Sequence, residues 1–198
     1  MKMIEPKDLF VRSPVDLGDY FNNREHKYWT MENGYAFANR RGLQQITKQI
    51  EGLTPAEYEQ LKGKLSIGLQ IDTEVTISAH QHTVTQAYCS ALPIGYSDIA
   101  TNQWETFARL ILEGLYESTF YAALRNYERT GNQELYLTLV GGGVFRNPTP
   151  WILDAIEHSV IKFRNTPLKV KVVSYGSSND QLAAFLGRLE ARGFGRSY

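Results

Sequence analysis

The stretch that most restricts how this chain can fold is Glu134-Leu135-Tyr136-Leu137-Thr138-Leu139-Val140-Gly141-Gly142-Gly143-Val144-Phe145-Arg146-Asn147-Pro148-Thr149-Pro150-Trp151. Its first half is short, apolar and rich in β-branched and aromatic residues, and glycines close it, which predicts a buried strand. Its second half opens a helix: Thr149 suits the N-cap, Pro150 suits the first helical position, and Ile152, Ile156 and Val160 recur every fourth residue. The glycines between them admit positive φ and expose bare peptide N–H groups beside the partial positive charge of a helix start. The stretch reads either as a phosphate cradle or as a tight strand-to-helix turn without a ligand, because a lone glycine-rich loop serves both.

The 198 residues suit one large domain with a core of its own. Residues 1–34 carry scattered charges and prolines and read as an irregular N-terminal arm, with one short strand around Leu9–Arg12; residues 35–198 read as the ligand-binding domain. Tyr35–Ala38 is strand-like and runs through Asn39-Arg40-Arg41-Gly42 into a helix marked by Leu43, Ile46 and Ile50. Thr54-Pro55-Ala56-Glu57 matches a capping box. Residues 65–75 and 84–89 read as strands, the second entering the small-residue loop 90–97. The longest helix follows, with Asn102-Gln103-Trp104-Glu105 resembling a capping box. A strand at 168–173 and a helix at 179–189 complete the chain. This alternation predicts a three-layer α/β/α domain with a mixed central sheet.

Composition excludes several classes. Lys plus Arg and Asp plus Glu are both 21, so no broad attraction to nucleic acid or anionic membrane is implied. The single cysteine, Cys89, excludes an intrachain disulfide and disfavours a cysteine zinc site. His80 and His82 share a face of a strand but have no evident third ligand, so they read as a loop-edge pair, and neither metal nor cofactor is expected. No apolar signal region or membrane-length run appears, which reads as a soluble protein without a Sec-type signal. A dinucleotide oxidoreductase or phosphate-loop NTPase fits poorly, for want of Gly-x-Gly-x-x-Gly after a strand and of Gly-Lys-Ser/Thr.

In an open α/β sheet, ligands bind beyond the carboxyl ends of the strands. Four predicted strands end in Asn39-Arg40-Arg41-Gly42, Cys89-Ser90-Ala91, Gly141-Gly142-Gly143 and Ser174-Tyr175-Gly176. Each end is small, glycine-rich or amide-bearing, as close backbone contact with a polar ligand requires. Phe145 and Tyr175 are placed either to stack on a flat ring or sugar or to pack under a loop.

With these loops laid out, the chain resembles a macrodomain. Leu137–Phe145 followed by a helix looks like the macrodomain loop that wraps the diphosphate and distal ribose of ADP-ribose, and Asn39 looks like the asparagine of its first loop. Thr85–Ser97, the helix through Trp104, Phe107, Ala108, Glu117 and Thr119, and Val173-Ser174-Tyr175-Gly176 are similar to a divergent macrodomain-like group of effector proteins that removes ADP-ribose from arginine, including on ubiquitin. The resemblance implies a metal-independent ADP-ribosylhydrolase, or alternatively a non-catalytic ADP-ribose or nucleotide-signal binding module. It implies an ADP-ribosylated protein, ubiquitin among the candidates, as partner, and a cytoplasmic place or delivery into a host cell. Ligand contacts are implied at Asn39, Ser90, Ala91, Gly141, Gly142, Gly143, Val144, Phe145, Arg146, Asn147, Ser174 and Tyr175.

There are departures. Arg146 stands where many macrodomains have a second glycine, and Arg40 and Arg41 replace the usual small residues after the asparagine. No acid lies between Asn39 and Gly42. Cleaving an N-glycosidic bond to ribose passes through an oxocarbenium-like transition state that a carboxylate stabilises, or helps water attack. Asp72 and Glu74, on one face of an extended segment, are the preferred catalytic candidates, with Asp98 and Glu105 in reserve and Glu117 as partner of a buried donor. A bulky residue at Gly142 is expected to block the cradle.

Overall fold

The computed structural model of the chain describes residues 13–77, 82–174 and 180–194, with side chains from Leu17 onward. The expected strand at Leu9–Arg12, His80 and Tyr175 lie outside them. The fold is mixed α/β, and its centre is α4 (Glu105–Thr130). Phe107, Leu110, Ile111, Leu112, Leu115 and Tyr116 are all buried, so the first half of this helix is covered all round, as befits a central helix. No capping box starts it. Asn102 lies instead in the short helical turn Thr101–Gln103, and the Trp104 N–H donates to Thr101 O at 3.0 Å.

Residues 13–34 differ from an irregular arm. They form α1 (Ser13–Tyr20) and β1 (Trp29–Glu32), and β1 pairs antiparallel with β2 (Tyr35–Ala38), so the hairpin crosses the boundary expected at 34/35. Its turn is Asn33-Gly34, with φ of 51° and 84°, the combination that a tight twisted hairpin requires. Leu17, Phe21 and Trp29 anchor the segment to the core at 1–2% exposure.

α2 (Arg40–Glu51) buries Leu43, Ile46 and Ile50 at the predicted spacing, and Thr54 and Glu57 form a full capping box on α3 (Pro55–Lys62). β3 (Gly68–Glu74) pairs antiparallel with β4 (Thr83–Tyr88), and β5 (Glu134–Thr138) pairs parallel with β6 (Lys169–Val173) through α5 (Thr149–Lys162). α6 (Asp180–Ala191) packs through Leu182, Phe185 and Leu189. Among the described residues the strands thus form three two-stranded sheets rather than one continuous sheet. A cavity of about 660 Å³ separates β4 from β5 above the second half of α4. The β3–β4 hairpin leaves Leu69, Ile71, Val84 and Tyr88 exposed. A bulge between Gln70 and Thr73, with Asp72 at φ 56°, bends it.

One buried charge knits α3, α4 and α5 together. Lys62, 7% exposed, lies 2.6 Å from Glu59, 3.1 Å from Glu117 and 3.7 Å from Glu113, and Lys162 joins Glu59 and Glu117 from α5. Burial disfavours charge on both lysines, but their carboxylate partners outweigh it and raise both above the ordinary lysine value. Burial likewise works against the charge of Glu59, and its two lysines outweigh it and lower it. The lysine contribution is therefore full below about pH 10 and lost as pH rises through the raised values; the Glu59 contribution is present above about pH 4 and lost as pH falls. Lys62→Ala leaves Glu59 and Glu117 with Lys162 alone and takes the buried cation away from Glu113, and it lowers the unfolding free energy at pH 7 by about 2 kcal/mol. In urea titrations its deficit against the parent shrinks below about pH 4 and above about pH 11.

No helix among the described residues is long and apolar enough to cross a membrane, and no group of three or more His, Cys, Asp or Glu residues could hold a metal ion.

Candidate functional site

The ends of β4, β5 and β6 meet. β4 leads through Cys89 into residues 90–95, β5 leads into Gly141–Asn147, and the pairing of Thr138 with Val173 brings Ser174 to the same end. Alongside Gly95, where a β-carbon would fall 2.3 Å from Val144 O, Gly141 is a close point of the junction. It takes φ 85°, and a β-carbon there would fall 2.4 Å from Ala91 Cβ, so only glycine lets the two chains touch. Two residues lock this contact. The Asn147 carboxamide, 3% exposed, donates from Nδ2 to Leu92 O at 2.9 Å and to Gly141 O at 3.1 Å, and the Asn147 N–H donates to Gly141 O at 2.9 Å. From α4, the Tyr116 hydroxyl donates to Thr138 O at 2.7 Å and accepts from the Val140 N–H at 3.0 Å. Further out, the Gly95 N–H donates to Phe145 O at 2.8 Å.

This locking leaves a row of donors. The N–H groups of Gly143, Val144 and Phe145 have no acceptor among the described residues, and Val144 is 69% exposed at the crest. Phe145 stands between two tyrosines, edge-on to Tyr35 at 5.0 Å and to Tyr96 at 5.7 Å. The loop therefore offers consecutive amides beside an aromatic rim and the start of α5, an arrangement that takes an anionic group next to a flat or sugar-like one. The helix begins at Thr149, one residue earlier than expected, and no side chain caps it.

The other expected site residues divide. Ala91 and Gly141 form the junction itself, and Ser90 donates its hydroxyl to Ala91 O at 3.1 Å. Asn147 is a clamp within the loops rather than a free ligand group; its Oδ1 is buried and accepts no hydrogen bond. Asn39 shares no hydrogen bond with the glycine loop. It caps α2, accepting from the Gly42 N–H at 2.8 Å, and donates to Lys27 O at 2.9 Å, so both ends of its amide are engaged. Arg40 reaches Asp98 at 3.8 Å across the surface.

The acids preferred on sequence grounds sit elsewhere. Glu74 pairs with Thr83 at the start of β4, whereas the loops meet beyond its end, a strand length of roughly 20 Å away. Asp72 is held there by both nitrogens of Arg129, each at 2.8 Å, and that guanidinium keeps its carboxyl below the usual range. The expected strand alternation breaks at the bulge, so Asp72 and Glu74 do not act as one acidic face. Glu105 pairs with Arg109 at 2.8 Å, and Glu117 serves Lys62 as expected. Asp98, with its side chain 91% exposed, is the carboxylate carried by the segment that docks on the glycine loop. Cys89 is no nucleophile at neutral pH, because burial pushes its thiol up to about 11.

Sequence reasoning missed Tyr116, Tyr35 and Tyr96. A tyrosine on the apolar face of a long helix needs a partner for its hydroxyl, and that signal was present for Tyr116. Tyr35 and Tyr96 come to Phe145 from separate turns, which no local pattern reveals.

No protein-family model matches the chain, and neither curated proteins nor solved structures provide a match.

The fold tolerates a side chain at Gly142, as expected of a surface loop, and the intolerant glycine is Gly141. A β-carbon on Gly142 meets nothing closer than 3.4 Å and its backbone is ordinary, so Gly142→Ala folds with near-parental stability, whereas Gly141→Ala costs about 2 kcal/mol or more in urea denaturation. Asn147→Ala removes the side-chain donor shared by Leu92 O and Gly141 O, each of which keeps a backbone donor, and costs about 1 kcal/mol in the same measurement.

Proposed function

We propose that this chain is a macrodomain-like protein that binds ADP-ribose, free or attached to a protein, at the Gly141–Asn147 loop. The observation that carries the reading is the row of unengaged amides at Gly143, Val144 and Phe145, held open by the clamp on either side. A diphosphate supplies the acceptors such a row lacks, and the rim of Phe145, Tyr35 and Tyr96 suits a ribose or base beside it. The finer architecture belongs to the same proposal. Parallel β5–β6 beside antiparallel β3–β4, with α4 packed against β4 and β5, are pieces of a mixed central sheet in a three-layer α/β/α fold. Ubiquitin and other arginine-modified proteins are the partners that the resemblance implies.

A second reading adds hydrolysis of the arginine linkage. What favours it is Asp98, whose segment bonds the glycine loop through Gly95. Its carboxylate would stabilise the oxocarbenium-like transition state or help water attack. Asp72 and Glu74 lie instead on the β3–β4 hairpin, at the opposite end of β4.

Two measurements separate the readings. Calorimetric titration with ADP-ribose gives saturable binding, and Asp72→Ala leaves it unchanged; absence of heat contradicts the binding proposal. Incubation with arginine-ADP-ribosylated ubiquitin releases ADP-ribose only under the second reading, and Asp98→Asn then lowers the rate at least about 100-fold. Binding without release leaves the binding module.

A further inference from the structure

Arg146 occupies a conformation that its side chain does not favour. Its φ is 55°, in the left-handed region where residues with a β-carbon are uncommon, and it ends the row of free amides. Strain of this kind persists where the surroundings impose it, and it gathers at ligand sites. Here the imposing contacts are visible. The Arg146 N–H donates to Gly143 O at 3.1 Å, the preceding carbonyl accepts from Gly95, and the side-chain stem lies across Gly95. A β-carbon on Gly95 would sit 2.3 Å from Val144 O, 2.9 Å from Arg146 Cγ and 3.1 Å from Cδ, so the bare glycine makes room for the loop backbone and for the stem beside it. The guanidinium itself has neither an ion pair nor a hydrogen bond among the described residues.

From this geometry we infer that Arg146 is a specificity-determining residue: its strained backbone and the groove over Gly95 carry a free guanidinium to the edge of the amide row, where it selects a ligand with a second phosphate group. The inference rests on the binding proposal above and extends it. The amides take one phosphate through neutral donors. The guanidinium takes the next through charge-assisted, bidentate hydrogen bonds, which neutral amides do not supply. A diphosphate ester is thereby preferred to a monophosphate carrying the same nucleoside.

The test compares ADP-ribose with AMP by calorimetry on the full chain, with Arg146→Gln, Arg146→Lys and Arg146→Gly. The parent binds ADP-ribose at least about tenfold more tightly than AMP, the advantage expected of one charge-assisted contact. Arg146→Gln and Arg146→Gly narrow this ratio to within about twofold, chiefly by weakening ADP-ribose, and Arg146→Lys keeps part of it. Arg146→Gly also relieves the backbone, so its Tm stays equal to the parent's or rises by about 2 °C while its affinity falls. A residue with only a structural role would lose stability and affinity together. If ADP-ribose binds and Arg146→Gln keeps the full preference, the inference is overturned and the binding proposal stands. If the parent binds neither ligand, both fall.

Discussion

The contact of Gly141 with Ala91 is the constraint on which the rest of the site depends. Two loops that leave different strands can touch here because one of them lacks a β-carbon and takes a left-handed turn. Asn147 then spans both loops with a single carboxamide, and Tyr116 braces the strand end from the central helix. These bonds satisfy the inner carbonyls and leave the outer amides open. Each is worth only about 1 kcal/mol net, but the Asn147–Leu92 bond is buried and the others are half-buried, where losing a partner costs more than forming the bond gains. The open amides are thus a consequence of the packing behind them.

The acidic residues show a division of labour. Asp72 goes to Arg129, Glu105 to Arg109, and Glu59 and Glu117 to the two lysines of the buried network. Those pairs tie α3, α4, α5 and the β3–β4 hairpin together, and they occupy carboxylates that would otherwise be candidates for chemistry. Asp98 differs in carrying only a long surface contact with Arg40. It lies three residues past Gly95, whose N–H bonds the glycine loop, and this is why the proposed hydrolysis draws on it.

Much of the fold was legible because its signals are local. The spacing of Leu43, Ile46 and Ile50, the capping box at Thr54 and Glu57, and the apolar runs of β5 and β6 each rest on contacts within a few residues. The Asn33-Gly34 turn is equally local, but the charges around it make residues 1–34 read as irregular. Within the site, the glycine loop announced itself, but the roles of its members did not. Asn147 belongs to the clamp because Leu92, 55 residues away, supplies its acceptor. Asp72 leaves the expected acidic pair because a bulge rotates it toward Arg129, and bulges leave little trace in alternation. Whether strands join into one sheet is likewise a tertiary matter, which no local pattern fixes.

The proposed site depends on the amides of Gly143, Val144 and Phe145 receiving a diphosphate. The most direct measurement is a ¹H–¹⁵N correlation spectrum of the labelled chain recorded during titration with ADP-ribose. These three amides are expected to move downfield together along one saturable curve, as donors gaining a charged acceptor do. Saturable shifts confined to the cavity between β4 and β5, or a spectrum that ADP-ribose leaves unchanged, would contradict the proposed site.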